Sequence, residues 1–286
     1  MTSEDVLTRP GIRTLLPGWT ARIAFGAFLL AVVVRLTGDV EPWGDDGVTA
    51  PVVAQVLLLP LLALTLWAAS RPGDAGGASG TAGAGGTAGA DRRPRPVVLT
   101  LVSLALGYLG DAVVTTTLLP GVWDVLLGGM ELEGVIYAPM LVIALLALSL
   151  VVQTVAFRGW LGTGRLFRLT TAACWVVGAA AVVVLSSGVA HLDVGEYVVG
   201  AVTACAAWCA AVVFLTVAAW RVDRLAGVGA LLLVATAVLL PAGLFVGEAG
   251  LYLATLRVAP VVYVAGQALL AAGLLRGLHR TLHPAV

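Results

Sequence analysis

Residues 104–119 read LALGYLGDAVVTTTLL, an apolar run broken by one carboxylate, Asp111. At about 1.5 Å per helical residue, such a run crosses most of a hydrocarbon core about 30 Å thick. The stretch therefore predicts a membrane helix with an acid inside it. A carboxylate in that environment is expensive and needs either a partner or a task. It can pair with an arginine from a neighbouring span and pin helix packing, or it can exchange protons with something bound in an intramembrane cavity.

The rest of the chain repeats the pattern. Of 286 residues, 60% are hydrophobic and 11% charged, and the mean hydropathy is +1.02. Such a composition belongs to an integral membrane protein. Eight apolar runs are long enough to span, near 19–36, 50–69, 97–119, 134–157, 169–189, 197–220, 226–246 and 250–275. Arg9 and Arg13 precede the first run and Arg22 lies in its first turn, but no small-residue cleavage site follows it, so it reads as a retained span rather than a signal peptide.

Charge placement tests that count independently. Arginines occupy the N-terminus, then Arg71, Arg92, Arg93 and Arg95, then Arg158, Arg165 and Arg168, then Arg221 and Arg224, then Arg276 and Arg280. The alternate loops carry Asp39, Glu41, Asp45 and Asp46, then Asp124, Glu131 and Glu133, then Asp193 and Glu196, then Glu248. By the positive-inside rule this predicts an all-α polytopic protein of eight transmembrane helices with both termini cytoplasmic. A single membrane domain covers 1–286, interrupted at 70–96 by a Gly/Ala-rich stretch (GDAGGASGTAGAGGTAGADRRPRP, 73–96) that reads as a disordered cytoplasmic linker.

Several chemistries are excluded. The net charge is zero, which argues against nucleic-acid binding. The chain has no lysine, hence no Schiff-base or Walker-type lysine. Cys174, Cys205 and Cys209 lie in apolar runs with no histidine or acid spaced to complete a metal site, so no metal or cofactor is expected. There is no G-x-S-x-G or H-E-x-x-H motif. Chemistry is left to carboxylate, tyrosine, glutamine and arginine.

Counting inward from the predicted outer ends puts Asp111 about 12 Å deep, Arg257 about 10 Å deep and Gln55 somewhat shallower. The three can share one layer in the outer half of the membrane, with Tyr263 and Gln267 deeper. Arg257 and Arg35 are the two arginines that escape the cytoplasmic bias. Arg35 stands at a helix end, where it can snorkel and needs no special explanation. Arg257 is expected to pair with Asp111 or Glu248. Tyr137 and Tyr252 fit a bilayer interface as well as a headgroup site. His191, His279 and His283 read as solvated.

Four segments together resemble the lysoplasmalogenase (YhhN-like) family of membrane proteins. APVVAQVLLLPLLAL (50–64) is similar to its Pro-Leu-rich second span through Pro60, and Gly110 and Asp111 stand where the family has a Gly-Asp pair. GALLLVATAVLL (229–240) has the Gly-Ala that opens the seventh span, and YVAGQALLAAG (263–273) resembles the eighth through Tyr263, Ala265 and Gln267. The resemblance implies eight spans and an intramembrane hydrolase that cleaves the vinyl-ether bond of a lysophospholipid without a cofactor. Asp111 would be catalytic, with Gln55, Thr236, Arg257, Tyr263 and Gln267 around the substrate.

The chain departs from that pattern. Ala235 and Thr236 replace a Ser-Asp pair, and Ala54 or Gln55 stands near the family's lysine. Three readings follow: a divergent hydrolase in which Glu133 or Glu248 replaces the lost acid, a lipid-binding member whose catalysis has lapsed, or a small transporter in which Asp111 carries a proton. The expected partners are the bilayer and a lysophospholipid-like substrate. Arginine-only basic usage and the Ala/Val-rich spans suggest a bacterial inner membrane.

Overall fold

The computed structural model of the chain describes residues 18–37, 50–70, 94–117, 131–189, 197–245 and 249–282, together with Leu16. Within the helices, the description of 112–117, 131–143, 187–189, 240–245 and 249–257, among others, stops at the backbone. The linker at 71–93, the loop acids Asp39, Glu41, Asp45, Asp46, Asp124, Asp193, Glu196 and Glu248, and His191 and His283 lie outside the described residues. So do the side chains of Glu131, Glu133, Tyr137, Tyr252 and Arg257.

The described elements are helical throughout: α1 (Trp19–Thr37), α2 (Ala50–Ala69), α3 (Arg95–Thr117), α4 (Glu131–Phe157), α5 (Arg165–Val189), α6 (Tyr197–Val222), α7 (Arg224–Phe245) and α8 (Ala249–Leu282). Six of these carry a segment long and apolar enough to cross a bilayer within the described residues, namely α1, α2, α4, α5, α6 and α8. The described apolar part of α7, Arg224–Ala237, is shorter. The chain is an integral membrane protein.

Its surface shows the same thing. Trp175 is 78% exposed, Val176 69% and Leu30 65%, on helices that would be insoluble if water covered them. α5 is the outermost helix and touches the bundle mainly through α6. There small residues face each other: a Cβ on Gly178 would stand in ordinary contact, 3.7 Å from Ala210 Cβ.

Local breaks follow from side-chain chemistry. A 3-10 turn, Arg158–Leu161, ends α4, and Gly162 follows at a φ of 63°, a left-handed conformation that side chains rarely adopt. α6 and α7 are divided at Asp223, whose Oδ1 accepts the Leu225 N–H at 2.8 Å and so caps α7. Asp223 Oδ2 also receives Arg280 Nη2 at 2.6 Å from the end of α8.

Among the described residues, neighbours in sequence pack as neighbours in space except for α4 and α5, and α4 packs instead on α6. α8 closes the arrangement by lying against α7 and touching α2, α3 and α6. The α7–α8 seam is the tightest: a Cβ on Gly229 would stand 2.6 Å from the Gly266 carbonyl oxygen, and one on Gly273 2.5 Å from the Ala226 nitrogen. Without water to drive association, such small-residue contacts are how membrane helices gain packing energy. The centre of the bundle is filled by Leu58, Leu104, Leu150, Trp208, Leu215, Leu233, Leu270 and Leu274.

Candidate functional site

Hydroxyl groups in these helices divide into two kinds. Thr65, Thr100, Thr170, Thr216 and Thr236 each donate to the carbonyl one turn back, the usual way to quiet a hydroxyl in an apolar helix. Ser103 on α3 and Ser149 on α4 instead meet across the helix gap, with their Oγ atoms 3.0 Å apart. That crossing marks the start of a polar seam between α3, α4 and α8.

Toward the end of the bundle where α1 and α3 finish and α2 begins, a second polar group assembles. Gln55 on α2 is the bridge: its Oε1 accepts the Nε–H of Arg35 from α1 at 2.9 Å, and its Nε2 donates to Asp111 Oδ1 on α3 at 2.9 Å. Arg35 is 4% exposed and Gln55 6% exposed. Asp111 is half-buried. A side-chain amide suits this position because it accepts from a cation on one side and donates to an anion on the other. The relay also brings the guanidinium close enough to act electrostatically on the carboxylate.

Arg35 therefore departs from expectation. A lone arginine two residues from a helix end was expected to snorkel; instead its head turns inward, because a buried amide and a carboxylate offer partners that lipid does not.

Deeper, Tyr263 on α8 reaches the seam. Its hydroxyl lies 3.4 Å from Ser149 Oγ, and Ser149 Oγ also donates to the Ser103 carbonyl at 2.8 Å. Gln153, one turn beyond Ser149, donates to Gln267 Oε1 at 2.9 Å. The Gln267 amide lies beside the Tyr263 phenol. Its nitrogen is fully buried and makes no hydrogen bond of normal geometry among the described residues.

The sequence-derived candidates thus separate. Gln55 and Asp111 are in direct contact, and Tyr263 and Gln267 belong to the adjoining seam. Thr236 is fully buried on α7 with its hydroxyl committed to the Leu232 carbonyl at 3.0 Å. The Arg257 side chain is outside the described residues. No group of three or more metal-ligating side chains occurs among the described residues.

No family model, curated protein or solved structure matches the chain.

Sequence reasoning missed Arg35, Ser103, Ser149 and Gln153. A signal for three of them was present: Ser103 with Gly107 and Asp111, Ser149 with Gln153, and Tyr263 with Gln267 all stand at i, i+4 spacing, which places each set on one helix face. Three apolar helices with a polar stripe apiece predict a shared seam.

Proposed function

We propose that this chain is a divergent lysoplasmalogenase-like hydrolase of eight spans, with both termini cytoplasmic, in a bacterial inner membrane. In this reading it acts on the vinyl-ether bond of a lysophospholipid presented from the outer leaflet. The observation that carries the reading is the Arg35–Gln55–Asp111 relay: a carboxylate held in a defined orientation in an apolar bundle, with a cation behind it. The lysine that the resembling family has in its second span is absent here, and Arg35 from α1 supplies the positive charge instead.

The chemistry asks little of the protein beyond one well-placed acid. Asp111, protonated, transfers its proton to the vinyl carbon distal to the ether oxygen, leaving an oxocarbenium ion. Water adds to the carbon bearing oxygen, and the Asp111 carboxylate takes the proton that water gives up. The hemiacetal then breaks into a fatty aldehyde and the glycerophospho-alcohol. Asp111 ends as it began, so one carboxylate can serve as acid and then base. Gln55 holds the carboxyl in place through both steps, and a fixed geometry is what converts proximity into rate.

A second reading, a lipid-binding protein whose catalysis has lapsed, is favoured by Thr236, whose hydroxyl is tied to its own helix where the resembling family has an acid. Aldehyde release from a lysoplasmalogen by the purified chain, beside Asp111→Asn and Thr236→Asp, separates the two. Release by the native chain and its loss of about a hundredfold or more in Asp111→Asn is expected. No release by the native chain, with a gain in Thr236→Asp, sinks the hydrolase reading and leaves the lapsed one.

A further inference from the structure

Gly107 lies one turn before Asp111 on α3, and a Cβ built on it would stand 2.6 Å from the Tyr263 hydroxyl oxygen. The phenol of α8 thus occupies the space that the glycine leaves. Side chains in a helix lean toward its N-terminus, so the Asp111 carboxyl leans toward the Gly107 level and hence toward that hydroxyl. The carboxylate is near enough for its charge to act on the phenol. The phenol's contact to Ser149 Oγ, at 3.4 Å, is long for an O–H···O bond, so the hydroxyl is not tied to a strong acceptor there.

Hydrolysis of an enol ether has a second proton problem after the carbon is protonated. The hemiacetal must lose an alkoxide, a strong base that leaves poorly unless it is protonated as it goes. Asp111 serves the distal carbon and then the attacking water, and α7 offers only the back-bonded Thr236 for the departing oxygen.

We propose that Tyr263 is a second catalytic residue of this site, its hydroxyl protonating the departing glycerol oxygen as the hemiacetal collapses. The carbon–oxygen bond to the glycerol breaks, the phenol proton passes to the glycerol oxygen, and the hemiacetal hydroxyl gives its proton back to the phenolate as the aldehyde carbonyl forms. Every proton is returned, and no co-reactant is required. Gly107 is the positioning residue, since it alone makes room for the hydroxyl beside Asp111.

The assignment rests on the hydrolase reading, and the test distinguishes the two. Purified full-length chain and Tyr263→Phe are compared on a lysoplasmalogen and on an alkenyl aryl ether, whose phenol departs without being protonated. Aldehyde formation from the lysoplasmalogen is expected to fall about a hundredfold in Tyr263→Phe with vinyl-ether consumption running ahead of it, the cost of losing a general acid. On the aryl ether the variant is expected to stay within about threefold of the native chain, which also shows that it is folded. Gly107→Ala, which displaces the hydroxyl without removing it, is expected to show the same dependence on leaving group. Equal losses on both substrates, or no loss on the lysoplasmalogen, overturn the assignment alone. A native chain inactive on both substrates overturns the hydrolase reading and this assignment with it.

Discussion

Exchanging the acid and the amide of the relay tests whether Asp111 is held for structure or for chemistry. Gln55→Glu alone keeps an acceptor for Arg35 but sets a second carboxylate where an amide donated to Asp111 at 2.9 Å. Two unit charges about 4 Å apart repel by about 4 kcal/mol at an effective dielectric of 20, and the stronger pairing with Arg35 offsets part of this. A net destabilisation of about 2–3 kcal/mol is expected, more than the roughly 0.6 kcal/mol that a single interhelical hydrogen bond averages in a membrane protein. Adding Asp111→Asn to the same chain reverses the bond, with the new amide on α3 donating to the new carboxylate on α2, and removes the repulsion. Stability of the double variant is expected within about 1 kcal/mol of native, a coupling well above the scatter for independent sites. Unfolding in mixed micelles by titration with a denaturing detergent, followed by circular dichroism, measures all four corners of the cycle. Activity is expected to stay lost, because the carboxylate has moved by one helix. A double variant as unstable as Gln55→Glu alone refutes the relay as an energetic unit, and a double variant with native activity refutes Asp111 as the acid.

Two further predictions concern packing away from the site. Gly229→Ala drives a Cβ to 2.6 Å from the Gly266 carbonyl oxygen and 2.8 Å from the Leu270 nitrogen, backbone atoms with nowhere to retreat. A loss of about 1–3 kcal/mol is expected in the same unfolding titration; Gly26→Ala, with nothing within 4 Å, is expected to be neutral or slightly stabilising. Asp223→Ala removes the α7 cap and is expected to cost about 1 kcal/mol. Asp223→Asn should recover most of that, because Arg280 is 55% exposed and its ion pair contributes little. An Asn variant as unstable as the Ala variant shows that the ion pair, not the cap, holds this corner.

The helices were legible because lipid leaves few choices. Every backbone group must be satisfied inside the segment, so an apolar run of sufficient length has one solution, and the runs at 50–69 and 197–220 coincide with α2 and α6 to within two residues. The last apolar run ends at 275, where Arg276, His279 and Arg280 cut off the hydropathy signal, while α8 continues to Leu282. Its extra turns carry Arg280 to Asp223, a contact between residues 57 apart that no local pattern encodes. The site was legible in its most expensive member, Asp111, and in Gln55, since polar atoms in an apolar run announce themselves. Arg35 was misread because a position near a helix end fits two outcomes, snorkelling outward or turning inward. The choice depends on which side of α1 faces α2, and that is a fact of tertiary packing.

The same physics bears on what the relay is for. α7 and α8 approach closely at Gly229, Gly266 and Gly273, and α5 rests on α6 beside Gly178, with no charged group at those contacts. A buried ion pair is weak evidence for stability, because the cost of stripping water from both groups rivals their attraction. A half-buried carboxylate, fixed by an amide and one helical turn from the lodged Tyr263 hydroxyl, adds little as glue and stands where the proposed proton donor would have to be. The charge-exchanged variant, if stable and inactive, is the outcome that this asymmetry requires.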